Sequence, residues 1–332
     1  MNWLGRLAAV AAEGAEDIRG GGFWMPQSAS TTAPEVDFVF YFILAISAFF
    51  FVLIVALTAL FVVRYRARPG HSEQDSPTHN TALELTWSII PSILVLMMFW
   101  FGFKAYMDQY NPPANAYEIL VEAQKWNWSF QYPNGYIDKD LHVPAGTPVR
   151  LVLTSQDVIH SFFVPAFRVK KDVVPGRYNK VWFEATQPGS YVVFCTEYCG
   201  TGHSDMLAHV IVHPPGEFEA WLEKAANFLD TLPPTEAGKL LYEQRGCTQC
   251  HSVDGSPRVG PTFKGIWGHE VKLRDGSTIP VDEDYLRESI VDPQAKVVDG
   301  FDPVMPTYAG RLKDKEITYI IEYIKSLGEE QP

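Results

Sequence analysis

Two long segments without a charged residue constrain the fold of this 332-residue chain more than any other feature. Residues 38–63 and residues 85–103 contain no Asp, Glu, Lys or Arg. At about 1.5 Å of rise per residue, each segment is long enough to cross, or nearly cross, a hydrocarbon core of about 30 Å. Pro91 lies in the first turns of the second segment, where proline is tolerated. These lengths disfavour two buried core helices, so we predict a transmembrane hairpin over residues 38–104.

The charges that flank these segments predict their orientation. Three arginines lie directly after the first segment, within the connector 64–84. Residues 20–37 contain no Lys or Arg, and only Lys104 closely follows the second segment. Because positive charge is kept on the cytoplasmic side, we expect a cytoplasmic connector and both termini outside, including the N-terminal segment 1–37. The apolar run at the start of that segment is too short to predict a signal peptide, and its cleavage stays open.

Residues 105–230 show the alternation and turn signals of a β domain. Segments rich in Val, Phe and Tyr predict strands over residues 149–155, 180–185, 190–195 and 207–213. Pro-Gly and Asn-Gly pairs between such segments mark turns. Strands this short and closely spaced predict a β-sandwich or a small Greek-key barrel.

Residues 231–332 change character again. A Leu-Pro-Pro-Thr linker precedes a helical stretch that begins at Glu236 and ends at Gly246. An amphipathic helix then closes the pattern at Gly328. We therefore predict a small all-α domain here, and a multidomain membrane protein overall.

Charge and cysteine usage narrow the possible functions. The net charge of −12 argues against a nucleic-acid partner, because a phosphate backbone requires a Lys- and Arg-rich surface. Residues 105–230 hold 9 Lys/Arg against 14 Asp/Glu, and residues 234–332 hold 12 against 17, so each part has a net charge of −5. The two outer domains therefore do not attract each other by bulk charge. The four cysteines are too few and too clustered for a disulfide framework.

The stretch CTQCH at residues 247–251 has the spacing of a c-type haem attachment site. Cys247 and Cys250 would form the thioethers, and His251 would bind the iron from one side. Met305, between prolines in a loop before the last helix, is the candidate sixth ligand, because Met/His ligation is usual in cytochromes c. A chance motif or a thioredoxin-like redox pair is the alternative for the cysteines, and core packing is the alternative for Met305.

Residues 236–328 resemble a class I cytochrome c in their order of elements. An N-terminal helix, CTQCH, VGPTFKGIWG, the Val-Met-Pro methionine and a C-terminal helix follow one another as in that family. The resemblance implies that the carbonyl of Pro261 orients the histidine ligand.

The loop CTEYCGTGHSDM at residues 195–206 combines two cysteines, a histidine and a methionine. A structural disulfide is possible in this compartment, and zinc is a second alternative, although zinc rarely recruits methionine. Thiolate, imidazole and thioether ligands together favour copper. Two cysteines four residues apart can bridge two copper ions, with a histidine for each. His203 lies within the loop, and His160 in DVIHSFFVP is the candidate second histidine.

The order of motifs resembles subunit II of the haem–copper cytochrome c oxidases across nearly the whole chain. The hairpin, KWNWSFQYPNG, the His160 segment, VPGRYNK and the cysteine loop follow in the family's order. The resemblance implies a cupredoxin-like Greek-key β-barrel that holds a dinuclear copper A centre. Its ligands would be His160, Cys195, the carbonyl of Glu197, Cys199, His203 and Met206.

The same resemblance implies roles for three further side chains. The Glu197 carboxylate would bind magnesium at the interface with subunit I, a hard ligand for a hard cation. Trp126, the first tryptophan of KWNW, would be the aromatic residue at which electrons enter, with ordinary packing as the alternative. Glu84 would mark the mouth of a proton channel, with a favourable helix-dipole position as the alternative. The remaining histidines, among them His142 and His213, fall in no ligand pattern and are expected to be structural or exposed.

The appended haem domain resembles the arrangement in c-fused aa-type bacterial oxidases. This implies the electron-input subunit of a proton-pumping terminal oxidase in the inner membrane, which passes electrons from a donor through haem c and copper A to subunit I for reduction of oxygen. Expected partners are subunits I and III and an external donor: a cytochrome c, another small redox protein or the quinol–cytochrome c reductase complex. The nearest alternative is the equivalent subunit of a haem–copper nitric oxide reductase. A copper chaperone would need a thioredoxin-like βαβ pattern, which is absent from the sequence.

Overall fold

The computed structural model describes residues 21–70 and 77–328. Helix α1 (Ala33–Tyr65) and helix α2 (Thr81–Tyr110) are both longer than the uncharged segments. They lie side by side, with the Phe101 ring edge-on to Phe38 at 5.3 Å and Lys104 paired with Glu35 at 2.7 Å. Most of their large apolar side chains are exposed, as a lipid-facing hairpin requires.

The β domain consists of two five-stranded sheets. The first has the order β3-β2-β1-β5-β8, and the second has the order β4-β10-β9-β6-β7. The strands are β1 (Tyr117–Gln124), β2 (Asn127–Gln131), β3 (Ile137–Asp138), β4 (Leu141–Pro144), β5 (Pro148–Ser155), β6 (His160–Val164), β7 (Val169–Val173), β8 (Asn179–Glu184), β9 (Gly189–Cys195) and β10 (Leu207–His213). Inward-facing residues alternate along β5, and the fully buried Phe130, Leu151, Phe162 and Phe183 lie in the core. This is the cupredoxin-like sandwich that the sequence predicts.

The N-terminal segment joins this domain, which the sequence did not indicate. Ser30 forms a β-bridge with Ala185, and the Ala29 N–H donates to the Ala166 carbonyl at 2.9 Å. The Arg168 guanidinium binds Asp37 at 2.7 Å, at the start of α1. These contacts fix the first transmembrane helix to the sandwich. Residues 1–20, also part of the predicted N-terminal segment, lie outside the described residues.

Two short helices, α3 (Phe218–Ala226) and α4 (Phe228–Thr231), lead into the C-terminal domain. Its helices are α5 (Pro234–Gln244), α6 (Cys247–Cys250), α7 (Glu283–Val291) and α8 (Asp314–Ser326). Helices α5 and α8 pack so closely that position 238 requires glycine. A Cβ there would lie 1.9 Å from the Tyr319 carbonyl oxygen. The domain also contains a hairpin of β11 (Glu270–Lys272) and β12 (Thr278–Pro280), so it is helical but not purely so. The Asp275-Gly276 pair is the turn signal that could have predicted this hairpin.

Candidate copper and haem sites

The candidate copper ligands meet at one end of the sandwich, where several strands begin or end. Cys195 ends β9, His160 begins β6, and a short 3₁₀ turn (His203–Asp205) leads into β10. The Thr196 N–H donates to the Ser161 carbonyl at 3.0 Å, which holds the two strand ends together. Rigid strand ends therefore hold the ligand side chains and the loop between them in place.

The ligand atoms of this cluster are in direct contact. Cys195 Sγ lies 3.8 Å from His160 Nδ1, 3.9 Å from Cys199 Sγ and 3.3 Å from the Glu197 carbonyl oxygen. Cys199 Sγ lies 3.5 Å from His203 Nδ1 and 3.9 Å from Met206 Sδ. All six sequence-predicted copper ligands therefore lie in one cluster. Two central sulfurs with imidazole, thioether and carbonyl groups around them fit a soft metal pair, and the donor set is richer than a disulfide needs.

Asp157 orients the His160 ring, and sequence reasoning missed it. Asp157 Oδ1 lies 2.9 Å from His160 Nε2, so Nδ1 is the nitrogen that faces Cys195. A carboxylate behind a ligand histidine fixes its ring and tautomer. The signal available in the sequence was an acidic residue three positions before the histidine.

The two thiols differ in acidity. Burial disfavours a Cys195 thiolate, but the contacts with His160 and with the main chain of Ser161 outweigh burial and hold the pKa of Cys195 below its usual value. Burial and the neighbouring Cys195 raise the pKa of Cys199. Two thiolates side by side therefore require positive charge between them, which a metal pair would supply.

Glu197 and Trp126 lie beside the ligand cluster at this end of the sandwich. The Glu197 side chain is exposed, although its carbonyl oxygen belongs to the cluster. Trp126 is half-buried and covers the loop, since a Cβ on Gly202 would lie 2.5 Å from Trp126 Cδ2. Its buried Nε1 has no hydrogen-bond partner among the described residues. Trp126 therefore packs directly on the candidate copper loop.

The candidate haem ligands line one crevice of about 150 Å³ in the C-terminal domain. Cys247, Cys250 and His251 line this crevice, and so does Met305, which belongs to the loop after α7. Most of the remaining lining is apolar, from side chains such as Phe263, Ile290, Phe301, Leu312 and Ile324. An apolar crevice lined by an imidazole, a thioether and two thiols fits a covalently attached haem.

His251 is held in one orientation. Its Nδ1 lies 2.7 Å from the Pro261 carbonyl oxygen, and Phe263 stacks on its ring at 4.4 Å. Gly260 is required beside it, because a Cβ there would lie 2.7 Å from His251 Cε1. Burial lowers the pKa of His251, although the bond to Pro261 opposes this shift. The neutral ring is thus ready to bind a metal through Nε2.

Glu84 lies in the first turn of α2, far along the chain from both clusters. Its Oε1 accepts a hydrogen bond from the Asn80 N–H at 3.0 Å, while Asn80 Oδ1 accepts from the Leu83 N–H at 3.2 Å. This reciprocal pair caps the helix. The contacts account for a carboxylate at this position, and its channel role stays a prediction.

Three family profiles match the chain. The transmembrane domain of cytochrome C oxidase subunit II matches residues 19–105, and the periplasmic domain of the same subunit matches residues 135–213. The cytochrome c profile matches residues 235–328.

Known proteins show the same relationship. The cytochrome c oxidase subunit 2 of Thermostichus vulcanus is 32% identical over 252 residues, which cover 59% of this chain and 77% of that protein. The solved periplasmic domain of subunit II of cytochrome oxidase of Bradyrhizobium japonicum is 32% identical, with a TM-score of 0.34, over 35% of this chain and 98% of that one. The cytochrome c oxidase subunit 2 of Alkalihalophilus pseudofirmus is 32% identical over 309 residues, which cover 89% of this chain and 88% of that protein. This chain therefore belongs to the cytochrome c oxidase subunit II family and carries a cytochrome c domain at its C-terminal end.

Proposed function

We propose that this chain is the electron-input subunit of a proton-pumping cytochrome c oxidase. It would receive electrons from an external donor at haem c, transfer them to a dinuclear copper A centre and deliver them to subunit I, where oxygen is reduced to water. The observation that carries the proposal is the assembly of two separate redox-ligand clusters in neighbouring domains outside a transmembrane hairpin.

The copper cluster supports an electron relay rather than a substrate site. Bound copper would supply one-electron chemistry, and bound haem would supply the same. The cluster's cysteines, His160 and Met206 are all buried, so the side chains exclude water from the ligand atoms. The sandwich fixes those atoms at strand ends, which keeps rearrangement small when the charge of the site changes.

The haem crevice supports the preceding role in this electron path, in which haem c donates electrons to the copper centre. The Pro261 carbonyl and Phe263 hold His251, and Gln294 Nε2 donates to the Met305 carbonyl at 3.3 Å. Residues Gln124, Lys125 and Asn127 of the copper domain also line the crevice. The turn that carries Trp126 therefore lies between the two clusters, which supports Trp126 as the residue through which electrons enter the copper site.

The proposal includes a membrane orientation and a partner surface. The connector after α1 would be cytoplasmic, with both globular domains and both termini on the periplasmic side. Glu197, exposed beside the copper cluster, would face subunit I and bind magnesium there. Glu84, at the opposite end of α2 from the copper domain, would lie at a cytoplasmic proton channel.

Spectroscopy and turnover of the purified complex test this function. We expect the absorbance of haem c, a near-infrared band from mixed-valence copper, two coppers in this chain and oxygen consumption when a donor is supplied. A complex with intact cysteines but one copper or none, and without the near-infrared band, would overturn the assignment. Turnover with nitric oxide in place of oxygen would identify the nitric oxide reductase alternative.

A further inference from the structure

The interface between the copper domain and the haem domain includes polar and charged side chains. A cavity of about 190 Å³ lies between them, lined on one side by Glu122, Gln124 and Ser129 and on the other by Arg245 and Arg311. Arg245 is only 9% exposed, and its Nε and Nη1 have no hydrogen-bond partner among the described residues. Polar contacts therefore contribute to the docking of the two domains.

Arg311 makes a partly buried ion pair across this interface. Its Nη2 lies 3.1 Å from Glu122 Oε1, and its Nη1 donates to Gln124 Oε1. The guanidinium also lies over the Tyr308 ring, 5.7 Å from its centroid. The guanidinium thus donates to Gln124 and forms an ion pair with Glu122, both among the last residues of β1, and a lysine ammonium lacks the planar group that reaches both.

The acceptors of Arg311 belong to the hairpin that separates the two redox-ligand clusters. Gln124 pairs with Asn127 across the two-residue turn Lys125–Trp126. Gln124, Lys125 and Asn127 line the haem crevice, while Trp126 covers the copper loop. Gly246, directly before Cys247, approaches the same turn, because a Cβ there would lie 2.5 Å from Asn127 Cγ. The hairpin therefore contacts both sites, and Arg311 holds its haem side.

We propose that Arg311 is a positioning residue that fixes the haem domain on the Gln124–Asn127 hairpin and so sets the distance between the haem and copper sites. This inference rests on the proposed function. The domains each carry a net charge of −5, so a local contact must overcome their mutual repulsion. The Gln244 Nε2 bond to Tyr136 Oη, at 2.7 Å, anchors another part of the interface and does not reach the turn.

The test compares Arg311→Gln with Arg287→Gln in the complete, cofactor-loaded complex. Arg287 has a similar exposure, and its polar partners Glu283, Asp314 and Thr318 all belong to the haem domain, so it is a matched control. Pulsed electron paramagnetic resonance of the oxidised complex would measure the distance distribution between haem c and copper. Single-turnover kinetics would measure electron transfer from haem c to copper.

Arg311→Gln should broaden and lengthen the distance distribution and slow the transfer about tenfold, the effect of losing a charge-assisted contact. The haem and copper spectra should stay unchanged, and Arg287→Gln should behave as wild type. Combining Arg311→Glu with Glu122→Arg should restore much of the distance distribution, whereas Arg311→Lys should restore only part. An unchanged distribution in Arg311→Gln would overturn the inference and leave the proposed function intact. Absence of haem-to-copper transfer in the wild type would overturn the proposed function instead.

Discussion

Each candidate copper ligand lies 3.3–3.9 Å from another ligand atom, whereas the candidate haem ligands line a crevice of about 150 Å³. Strand ends and a short turn position the first set, and these belong to a sandwich with its own core. In the haem domain, the crevice is lined by α7, α8 and the loops between them, next to a small core that α5 and α8 form. The copper site is thus an addition to a finished fold, while the haem site is part of the fold itself.

The largest expected effect comes from preventing haem attachment with the double variant Cys247→Ser and Cys250→Ser. At about 24 cal/mol per Å³ of cavity, a crevice of this size lowers the free energy of unfolding of the haem domain by about 4 kcal/mol. Amide hydrogen exchange should show faster exchange in α7 and α8, which line the crevice, and unchanged exchange in the sandwich. The matched double variant Cys195→Ser and Cys199→Ser should lose copper but change domain stability little. Equal destabilisation of both domains by their own variants would contradict the comparison.

The second prediction that distinguishes the two domains concerns the stability of the sandwich at acidic pH. In the sandwich, His142 Nδ1 lies 2.9 Å from His213 Nε2, and Trp221 stacks on His142 at 3.8 Å. Burial and the neighbouring His213 lower the pKa of His142 to about 4. As the pH falls, His142 therefore takes up a proton in the unfolded chain at a higher pH than in the folded chain. The free energy of unfolding falls by about 3 kcal/mol as the pH drops from about 6.5 to 4. Above pH 6.5 the same group should contribute no pH dependence.

Denaturant unfolding of the sandwich at several pH values measures this loss. The variant His142→Phe keeps a ring against Trp221 but cannot titrate, so its stability should fall less between pH 6.5 and 4. The two histidines lie at the end of β4 and β10 remote from Met206, about one strand length or 20 Å away. Parallel pH profiles for wild type and variant would assign the acid sensitivity to other groups.

One glycine lies beside each site, so the same substitution to alanine can be compared at both. An alanine at Gly202 would place its Cβ 2.5 Å from Trp126 Cδ2, and one at Gly260 would place it 2.7 Å from His251 Cε1. Each clash should cost about 1–3 kcal/mol. Gly260→Ala should shift the haem c spectrum because it moves a ligand, whereas Gly202→Ala should move Trp126 and leave the copper band unchanged. Gly102→Ala, with open space around a helical glycine, is the control. A shifted copper band in Gly202→Ala would show that the loop is less rigid than its contacts indicate.

The sequence predicted the parts of the molecule that depend on local pattern. All four segments assigned as strands are strands, and both uncharged segments lie within long helices. The resemblance also named the side chains that lie together as the candidate copper cluster, because those residues occupy short, distinctive motifs. The capping contacts of Glu84 support its structural interpretation and leave its channel role untested.

What the sequence did not predict depends on long-range pairing. Ala29 and Ser30 lack any strand periodicity, and their burial arises only because Ala166 and Ala185 lie opposite them. Arg311 is one of many charged residues in its domain, and only the docked arrangement shows its acceptors. His142 and His213 were expected to be structural or exposed; their pairing follows from the parallel register of β4 and β10.

The smallest expected effect distinguishes how the two sites orient their histidines. A side-chain carboxylate, Asp157, orients His160, whereas a main-chain carbonyl orients His251 and cannot be removed by substitution. Asp157 also accepts from the N–H groups of Lys125 and Val158, both at 2.7 Å, so it joins the candidate copper ligand His160 to the hairpin turn.

The variant Asp157→Asn has one acceptor oxygen for these three donors and should lower copper affinity about tenfold, or about 1.4 kcal/mol. Competition with a copper chelator would measure the loss, with an unchanged haem c spectrum as the internal reference. Asp172→Asn, which removes the carboxylate charge that accepts from Ser161 and Lys170 on the same sheet, should retain wild-type affinity. If both variants lost copper equally, general loosening of the sheet would explain the effect, and orientation of His160 by its carboxylate would not.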